Sequence, residues 1–234
     1  TYDRACIIGR SINSVLRQSL ASFELIIIDD ASRDHTEEIV GRYDDARIRF
    51  IKRTLNHLEL YRTAGVIDNP RNDGLKVARG NYICYLDSDD MYRPSFLSTM
   101  STYLDRNPHV GLAYCDSLWH RRIKDKEEAS CIMSFDFDME LMRKRNFIAT
   151  PTVMHRREIV NEVGFFKPIK VRCPHPGIPY IGIEDWDYWL RIAEHFKIAH
   201  VPVVLGDIMD KTSDFYWDKD FTPEFDHPTR GTRV

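Results

Sequence analysis

Three carboxylates crowd into four positions of the stretch YLDSDDMYRP, which spans residues 85–94. Asp87, Asp89 and Asp90 follow directly on the apolar run NYICYL. Like charges this close repel and raise each other's pKa, so the cluster requires either a solvated turn or a cation between its members. An Asp-x-Asp turn suits Mg²⁺ or Mn²⁺, which bind one or two carboxylates and keep positions open for substrate phosphates. This motif alone leaves both explanations open.

Two further acidic pairs stand at the ends of predicted elements. Asp29 and Asp30 close the β-branched run FELIIIDD, and Glu184 and Asp185 open the segment EDWDYWLRIAEHF. Acids in the first turn of a helix are favoured by the helix dipole, so the second pair has a structural explanation beside a catalytic one. Each pair is weak evidence alone, and their chemistry depends on whether the fold brings them together.

Apolar runs and helical periodicities alternate over residues 5–116. The patterns predict helices at 5–20, 32–43, 71–80 and 93–108, strands at 23–30, 47–51, 81–86 and 110–116, and an irregular segment at 52–70. Such alternation indicates a parallel sheet with helices on both faces. Ligands of such sheets bind beyond the carboxyl ends of the strands, so the acids at 29–30 and 87–90 should face one crevice.

The pattern is less regular after residue 116. It predicts helices at 138–146, 156–164 and 184–196 and a strand at 197–205. Trp186 and Trp189 lie three positions apart on the last helix, where core packing is the simpler explanation and stacking on a sugar the alternative. From residue 206 the composition is polar, which predicts a partly disordered tail.

The composition excludes several classes of protein. The chain has 33 Lys and Arg against 36 Asp and Glu, a net charge of −3, and so lacks the overall basic field expected of a nucleic-acid-binding protein. Its five cysteines are widely spaced, which argues against a disulfide framework or a zinc site. No apolar run reaches the ~18 residues of a transmembrane helix. We therefore expect a cytoplasmic protein, one that can also sit peripherally at the inner face of a membrane.

Five segments together resemble a known family. TYDRA, SVLRQS, FELIIIDDAS, RNDGLKVARGNYICYLDSDD and GIEDWDYWLRIAE occur in this order over roughly residues 1–205. They resemble the nucleotide-sugar-dependent inverting glycosyltransferases of family two, which have the GT-A fold. The resemblance implies an α/β domain whose Rossmann-like, mostly parallel central sheet is flanked by helices, with a smaller acceptor-side α+β portion. It divides the chain into a nucleotide-sugar-binding half (1–116), an acceptor and catalytic-base half (117–205) and a polar tail (206–234).

The family pattern assigns roles to individual positions. By resemblance Asp185 is the general base, and Asp87-Ser88-Asp89 is the DXD motif. In that motif Asp89 binds the metal, Asp87 binds the ribose or the metal, and Ser88 lies at the nucleotide. The remaining donor-side residues implied by the family lie near the nucleotide or its base: Thr1, Tyr2, Asp30 and Arg71. His155 is a weaker candidate for contact with the acceptor or the donor diphosphate, because a lone histidine is more often structural.

The chemistry explains these residue types. Cleavage of the anomeric C–O bond passes through an oxocarbenium-like transition state, and a Mn²⁺ or Mg²⁺ ion would stabilise the charge on the departing nucleoside diphosphate. A carboxylate on the opposite face accepts the proton of the attacking hydroxyl. One direct displacement inverts the anomeric centre without an enzyme nucleophile. The resemblance implies a UDP-sugar donor and a saccharide, lipid-linked or other hydroxyl acceptor.

The chain departs from the family pattern in three places, one of which is the segment 53–70, longer here than in many relatives. The Val/Ile-rich strand that usually precedes the Thr-Tyr pair is absent, which predicts that the chain is a truncated version of a longer protein. Asp3 stands where the family commonly has Asn. Two alternative functions stay open at this point. One is a nucleotidyltransferase, which also holds a metal with acids on an α/β sheet; the other is a catalytically inactive nucleotide-sugar-binding module.

Overall fold

The computed structural model describes residues 1–64, 68–123, 126–167, 170–172, 180–182 and 184–209. The helices are α1 Ile8–Leu16, α2 Thr36–Gly41, α3 His57–Ala64, α4 Pro70–Val77, α5 Phe96–Arg106, α6 Met139–Lys144, α7 Ile159–Val163 and α8 Glu184–His195, with a 3₁₀ turn at Thr150–Thr152. The strands are β1 Leu25–Asp29, β2 Ile48–Lys52, β3 Tyr82–Cys84, β4 Met91–Tyr92, β5 Val110–Ile123, β6 Lys126–Met133, β7 Val153–Arg156, β8 Lys170–Arg172, β9 Tyr180–Gly182 and β10 Lys197–Met209.

The strands form three sheets. β1 and β2 pair in parallel, and β8 and β9 pair antiparallel. The largest sheet has six strands in the order β3-β7-β5-β10-β4, with β6 added on β5. Within it β5 and β10 run parallel, whereas β7, β4 and β6 each run antiparallel to the strands they pair with. β3, β5 and β10 therefore point the same way, and their carboxyl ends lie at one edge.

The predicted α/β architecture, a central sheet flanked by helices, is confirmed. The expectation that the sheet is mostly parallel is wrong for the six-stranded sheet, because three reversed strands are inserted in it or added to it. These strands escaped the sequence patterns for physical reasons. β4 has only two residues, and β7 is the four-residue run VMHR, too short to show alternation.

Two predicted segment boundaries need correction. The segment 52–70, expected to be irregular, contains helix α3 and the start of α4. Residues 206–209, placed in the polar tail, continue strand β10, because β10 stays paired with β5 as far as Met209. The Met209 backbone N–H also donates to Asp90 Oδ1 at 2.9 Å. The remainder of the predicted tail, 210–234, lies outside the described residues.

Apolar spacing explains how the helices attach to the sheets. α1 buries Ile8, Ile12 and Val15, which recur at helical intervals along one face. α8 buries Tyr188, Trp189 and Ile192 in the cluster that also contains Leu112 of β5. Trp189 is thus a core residue, and this packing fixes the direction in which the first turn of α8 points.

The cysteines and the helices of the described residues bear on two expectations drawn from the composition. Cys6, Cys84, Cys115 and Cys131 are free thiols in the structure, while Cys173 lies outside the described part of the chain. None of the helices in the described ranges combines the length and the apolar composition needed to cross a bilayer.

Gly111 of β5 offers a test of the packing that holds α8 in place. A methyl group on Gly111 would lie 2.5 Å from Phe196 Cβ and 3.0 Å from Ile159 Cδ1. Because a Cβ atom cannot swing away, we expect Gly111→Ala to lower the free energy of unfolding by about 1–3 kcal/mol. Urea denaturation measures this. Gly41→Ala is the control, since no atom lies within 4 Å of the added carbon, and equal destabilisation of both variants would contradict this packing.

Candidate active site

Helix α4 positions the basic residue of the site. Asn69 caps the helix by accepting from the Arg71 backbone N–H at 2.9 Å, and Pro70 occupies the first helical position, where its missing N–H is harmless. The Arg71 side chain donates from Nη2 to Asp87 Oδ1 at 2.8 Å, and Nη1 lies 3.6 Å from Glu184 Oε1. One guanidinium therefore joins the acidic turn after β3 to the first turn of α8.

The neighbouring carboxylates stabilise the positive charge of Arg71. Burial opposes the protonated form, but the carboxylates of Asp87, Glu184 and Asp185 outweigh it and raise the pKa of Arg71. These three acids come from segments almost a hundred residues apart, so the Arg71 guanidinium is the point at which the turn after β3 and the first turn of α8 meet.

The three acids of the turn after β3 have different environments. The Asp90 backbone N–H donates to the Asp87 carbonyl oxygen at 3.1 Å and closes the turn. The Asp90 side chain is buried against Met209, and Ser11 Oγ donates to its carbonyl oxygen at 2.8 Å. Asp87, Ser88 and Asp89 are only partly buried. Asp90 is thus structural, while Asp87 of the Asp-x-Asp pair contacts Arg71.

The carboxylate oxygens at this turn fit a hard divalent cation that arrives with a phosphate ligand. Within the described ranges no group of three or more His, Cys, Asp or Glu side chains is arranged to hold a metal. Two partly buried carboxylates, Asp87 and Asp89, match the one or two that Mg²⁺ typically takes from a protein when substrate phosphates complete its shell. These two carboxylates alone therefore do not complete the coordination shell of a metal ion.

Asp30 lies in a buried network rather than on an open surface. Its carboxylate is 4% exposed and accepts from Arg53 Nη1, from Asn56 Nδ2 at 3.0 Å and from the ring and backbone of His57. Burial disfavours ionisation of Asp30, but the hydrogen bonds and charge of His57 and the charge of Arg53 outweigh it and lower its pKa.

Arg53 connects this network to helix α4. Its guanidinium, 9% exposed, pairs with Asp30 and Asp68 and lies 3.1 Å from Asp73 of α4. Because α4 also carries Arg71, which pairs with Asp87, this one helix is tied by ion pairs both to the loop after β1 and to the acidic turn after β3. These contacts bring Asp30, Arg71 and Asp87 to one region, although the Asp30 carboxylate itself does not face solvent.

The beginning of the chain lies beside the carboxyl end of β1. The Thr1 nitrogen donates to the Ile28 carbonyl oxygen at 2.7 Å, and its carbonyl oxygen accepts from Asp30 N–H at 2.8 Å. Thr1 is within reach of the charges of Asp29, Asp30, Asp87 and Arg71. Asp29, in contrast, is fully buried and bonded to Ser32, so it does not open onto the expected crevice.

Asp185 at the start of α8 is held by three donors. Its Oδ2 accepts from Asn146 Nδ2 at 3.1 Å and from Thr150 Oγ1 at 3.2 Å, and its Oδ1 accepts from the Trp186 N–H at 2.7 Å. Burial raises the pKa of Asp185, and the hydrogen bonds from Trp186 and Thr150 together with the charge of Arg71 offset this only in part. A carboxylate has about four acceptor positions, so the described donors leave it capacity for one more proton donor.

Several residues of the site were not predicted. Asn146 and Thr150 orient Asp185, and Arg53 and His57 surround Asp30. Arg53 and His57 follow the predicted strand 47–51, so their place beyond a strand end was the one available signal. Asn146 and Thr150 carry no such signal, since only tertiary packing brings residues 146–150 to α8.

His155 is a core residue rather than a ligand-binding one. Its Nδ1 faces the Arg156 carbonyl oxygen at 2.8 Å and must carry the hydrogen, so Nε2 accepts from Tyr85 OH, also at 2.8 Å. The side chain is fully buried, and this burial lowers its pKa to about 4. Its hydrogen bond and ring contact help to fix Tyr85, which lies two residues before Asp87.

The buried His155 predicts a loss of stability at mildly acidic pH. The folded-state pKa of about 4 lies below the ordinary 6.5, so between these values the unfolded chain binds a proton that the folded chain does not. Stability should therefore fall as pH decreases from 6.5 to 4, by up to about 3 kcal/mol from this residue. Urea denaturation at several pH values measures it. His155→Gln should show a correspondingly smaller decrease, and identical decreases would contradict this assignment.

Comparisons with known proteins agree on one family. The family model described as glycosyl transferase family 2 matches residues 1–164. The chain is 30% identical over 191 residues to the UDP-Glc:alpha-D-GlcNAc-diphosphoundecaprenol beta-1,3-glucosyltransferase WfaP of Escherichia coli, covering 82% of this chain and 66% of that protein. It is 28% identical over 217 residues to an uncharacterized protein of Mycobacterium tuberculosis, covering 86% of this chain and 62% of that protein. It spans only 20% of a Sinorhizobium fredii relative.

Solved structures show the same fold. Staphylococcus aureus TarS 1-349 in complex with UDP-GlcNAc superposes with a TM-score of 0.68 at 18% identity, covering 93% of this chain and 60% of that chain. The mannosyltransferase PcManGT of Pyrobaculum calidifontis, in complex with GDP-Man and Mn²⁺, gives a TM-score of 0.59 at 17% identity, covering 90% of this chain and 54% of that chain. With the family model matching most of its length, the chain belongs to glycosyl transferase family 2.

Proposed function

We propose that this chain carries the site of a metal-dependent inverting glycosyltransferase, which moves a sugar from a nucleoside diphosphate to an acceptor hydroxyl. One observation carries the proposal: Arg71 joins Asp87 of the acidic turn to Glu184, the neighbour of Asp185. In this proposal residues 1–116 form the donor half and residues 117–205 the acceptor and base half. The two halves meet at Arg71.

The donor side is assigned to residues at the strand ends. Arg71 would bind the diphosphate, because its guanidinium keeps donors free beyond those directed at Asp87 and Glu184. Thr1, Tyr2, Asp30 and Ser88 would surround the nucleoside. Asp89 together with Asp87 would hold Mn²⁺ or Mg²⁺, which when bound offsets the negative charge on the departing diphosphate.

The acceptor side is assigned to Asp185. Its two oxygens are fixed by Asn146, Thr150 and the Trp186 N–H, so the carboxylate cannot rotate freely. The remaining acceptor position would take the proton of the acceptor hydroxyl while that oxygen forms the new bond to the anomeric carbon and the diphosphate leaves with the old bond's electron pair. The raised pKa of Asp185 makes it a stronger base than an ordinary aspartate, provided that it is ionised at the working pH.

The relatives indicate the substrate classes. The printed name of WfaP specifies a UDP-glucose donor and a lipid-linked acceptor, and TarS was solved with UDP-GlcNAc. We therefore propose a UDP-sugar as donor and a saccharide, lipid-linked or other hydroxyl compound as acceptor. PcManGT, solved with Mn²⁺, supports a divalent cation. Membership of the family makes the nucleotidyltransferase alternative the weaker one.

A donor screen tests the proposal. The full chain would be incubated with Mn²⁺ and a panel of UDP-, GDP- and CDP-sugars, and release of free nucleoside diphosphate would be measured with and without added saccharide acceptors. We expect release from at least one UDP-sugar above the rate without protein. A protein that binds no nucleoside diphosphate under these conditions would contradict the proposal, whereas binding without release would indicate the inactive module.

A further inference from the structure

The hydrogen bonds of Asp185 are divided unequally between its two oxygens. Oδ2 accepts from Asn146 Nδ2 at 3.1 Å and from Thr150 Oγ1 at 3.2 Å. Among the described residues Oδ1 accepts only from the Trp186 backbone N–H, at 2.7 Å. Because each carboxylate oxygen offers two lone-pair positions, these donors occupy Oδ2 and leave one position open on Oδ1.

The direction of both hydrogen bonds to Oδ2 is fixed by chemistry. The Asn146 Oδ1 accepts from the Ile148 backbone N–H at 3.1 Å, so the amide nitrogen must be the atom that faces Asp185. The Thr150 hydroxyl also donates, since an ionised carboxylate can only accept. Donors directed at a carboxylate favour its ionised form over its protonated form. Asn146 and Thr150 thus stabilise Asp185 in the state that a general base requires.

The other influences on Asp185 oppose one another. Burial raises its pKa, and the charge of Glu184 on the same helix raises it further. The Trp186 N–H, the charge of Arg71 on α4 and the Thr150 hydroxyl lower it. In the proposed reaction Arg71 binds the diphosphate, whose negative charge offsets that of the guanidinium. Neutral donors held by the protein keep their effect on Asp185 whether or not the donor substrate is bound.

We propose that Asn146 and Thr150 are positioning residues that keep Asp185 ionised and reserve its Oδ1 for the acceptor hydroxyl. This inference rests on the proposed function. The proton of the hydroxyl passes to Oδ1 while the hydroxyl oxygen forms its bond to the anomeric carbon. The departing diphosphate keeps the electron pair of the broken C–O bond. With Oδ2 occupied, the acceptor approaches on the side of Oδ1.

Thr150→Val removes one donor to Oδ2 with little change of shape. Loss of a hydrogen bond to the charged form raises the pKa of Asp185, so the base becomes protonated at a higher pH. We expect the acidic limb of kcat/KM, measured by nucleoside diphosphate release, to move up by about one pH unit, with activity restored at alkaline pH. Thr152→Val is the matched control, because Thr152 is buried in the same 3₁₀ turn but donates to the Ala149 carbonyl oxygen at 2.7 Å. Its acidic limb should coincide with that of the wild type.

Asn146→Asp is a second variant, at an exposed position that tolerates substitution more easily. The new side chain can still accept from the Ile148 N–H, but it presents a negative charge to Asp185 instead of a donor. We expect the acidic limb to move further than in Thr150→Val. Carbon-13 NMR titration of the Asp185 carboxyl carbon, assigned by its loss in Asp185→Asn, should show the same upward order without any turnover.

The pH dependence separates this role from a purely structural one. A folded Thr150→Val or Asn146→Asp that loses kcat/KM equally at every pH, or keeps the acidic limb and the carboxyl titration of the wild type, would overturn the inference. The proposed function survives that result if the wild type still transfers sugar. If the wild type releases no nucleoside diphosphate from any donor, both fail.

Discussion

Asp185→Asn is expected to abolish most sugar transfer while leaving donor binding intact. The amide has nearly the same shape as the carboxylate but cannot accept the proton of the acceptor hydroxyl. Loss of a general base typically lowers kcat by about 10²–10⁴-fold. The donor dissociation constant should change little, because Arg71, Asp87 and Asp89 are untouched. Steady-state release of nucleoside diphosphate gives the rate, and calorimetry with UDP gives the affinity.

Asp187→Asn is the control for this variant. Asp187 lies in the same helical turn, and its carboxylate accepts from Arg191 Nε at 2.7 Å instead of facing Arg71. We expect its turnover to stay within a fewfold of wild type. If Asp185→Asn retained wild-type turnover, another group would have to be the base.

Removal of the divalent cation should have the second large effect. Without it the diphosphate must approach Asp87 and Asp89 with only Arg71 to offset the repulsion. We expect chelation to weaken UDP binding by about 10²-fold, a few kcal/mol of charge stabilisation, and to stop transfer. Added Mn²⁺ should restore both. Calorimetry with UDP in Mn²⁺ and in chelator measures this directly.

The acids of the turn should differ in their response to substitution. Asp89→Asn should weaken Mn²⁺-dependent UDP binding in the same direction as chelation. Asp90→Asn should leave it near wild type, because Asp90 is buried and accepts the Met209 N–H, a bond that an amide oxygen can keep. A chain that binds UDP equally well with chelator and with Mn²⁺ would show that the carboxylates of Asp87 and Asp89 serve another purpose.

The elements that sequence patterns located well are those with local physical signals. The apolar face of α1 and the periodicity of α8 each reflect burial of one side, and both helices were found. β7 and helix α3 were missed, because a four-residue strand and a polar eight-residue helix acquire their structure from tertiary contacts. Short reversed strands are stabilised mainly by the neighbours with which they pair.

The site follows the same division. The acids at 29–30 and 87–89 follow strands, so the parallel-sheet rule could place them near one edge, whereas Asp185 was assigned by resemblance to the family alone. Their exposure could not be predicted, because it depends on distant partners. Arg53 and Asn56 bury Asp30, whereas Asn146 and Thr150 leave Asp185 a free acceptor position. Identical carboxylates thus have different environments, set by residues that no local pattern links to them.

A crystal structure of the full chain with Mn²⁺ and a UDP-sugar analogue tests the central claim most directly, through the anomalous signal of the metal. We predict a Mn²⁺ ion bound by Asp89 or Asp87 and the diphosphate, with Arg71 on the phosphates and the Asp185 carboxylate on the opposite face of the sugar. A nucleotide bound elsewhere, or an anomeric carbon separated from Asp185 by the sheet, would contradict a glycosyltransferase site at Arg71.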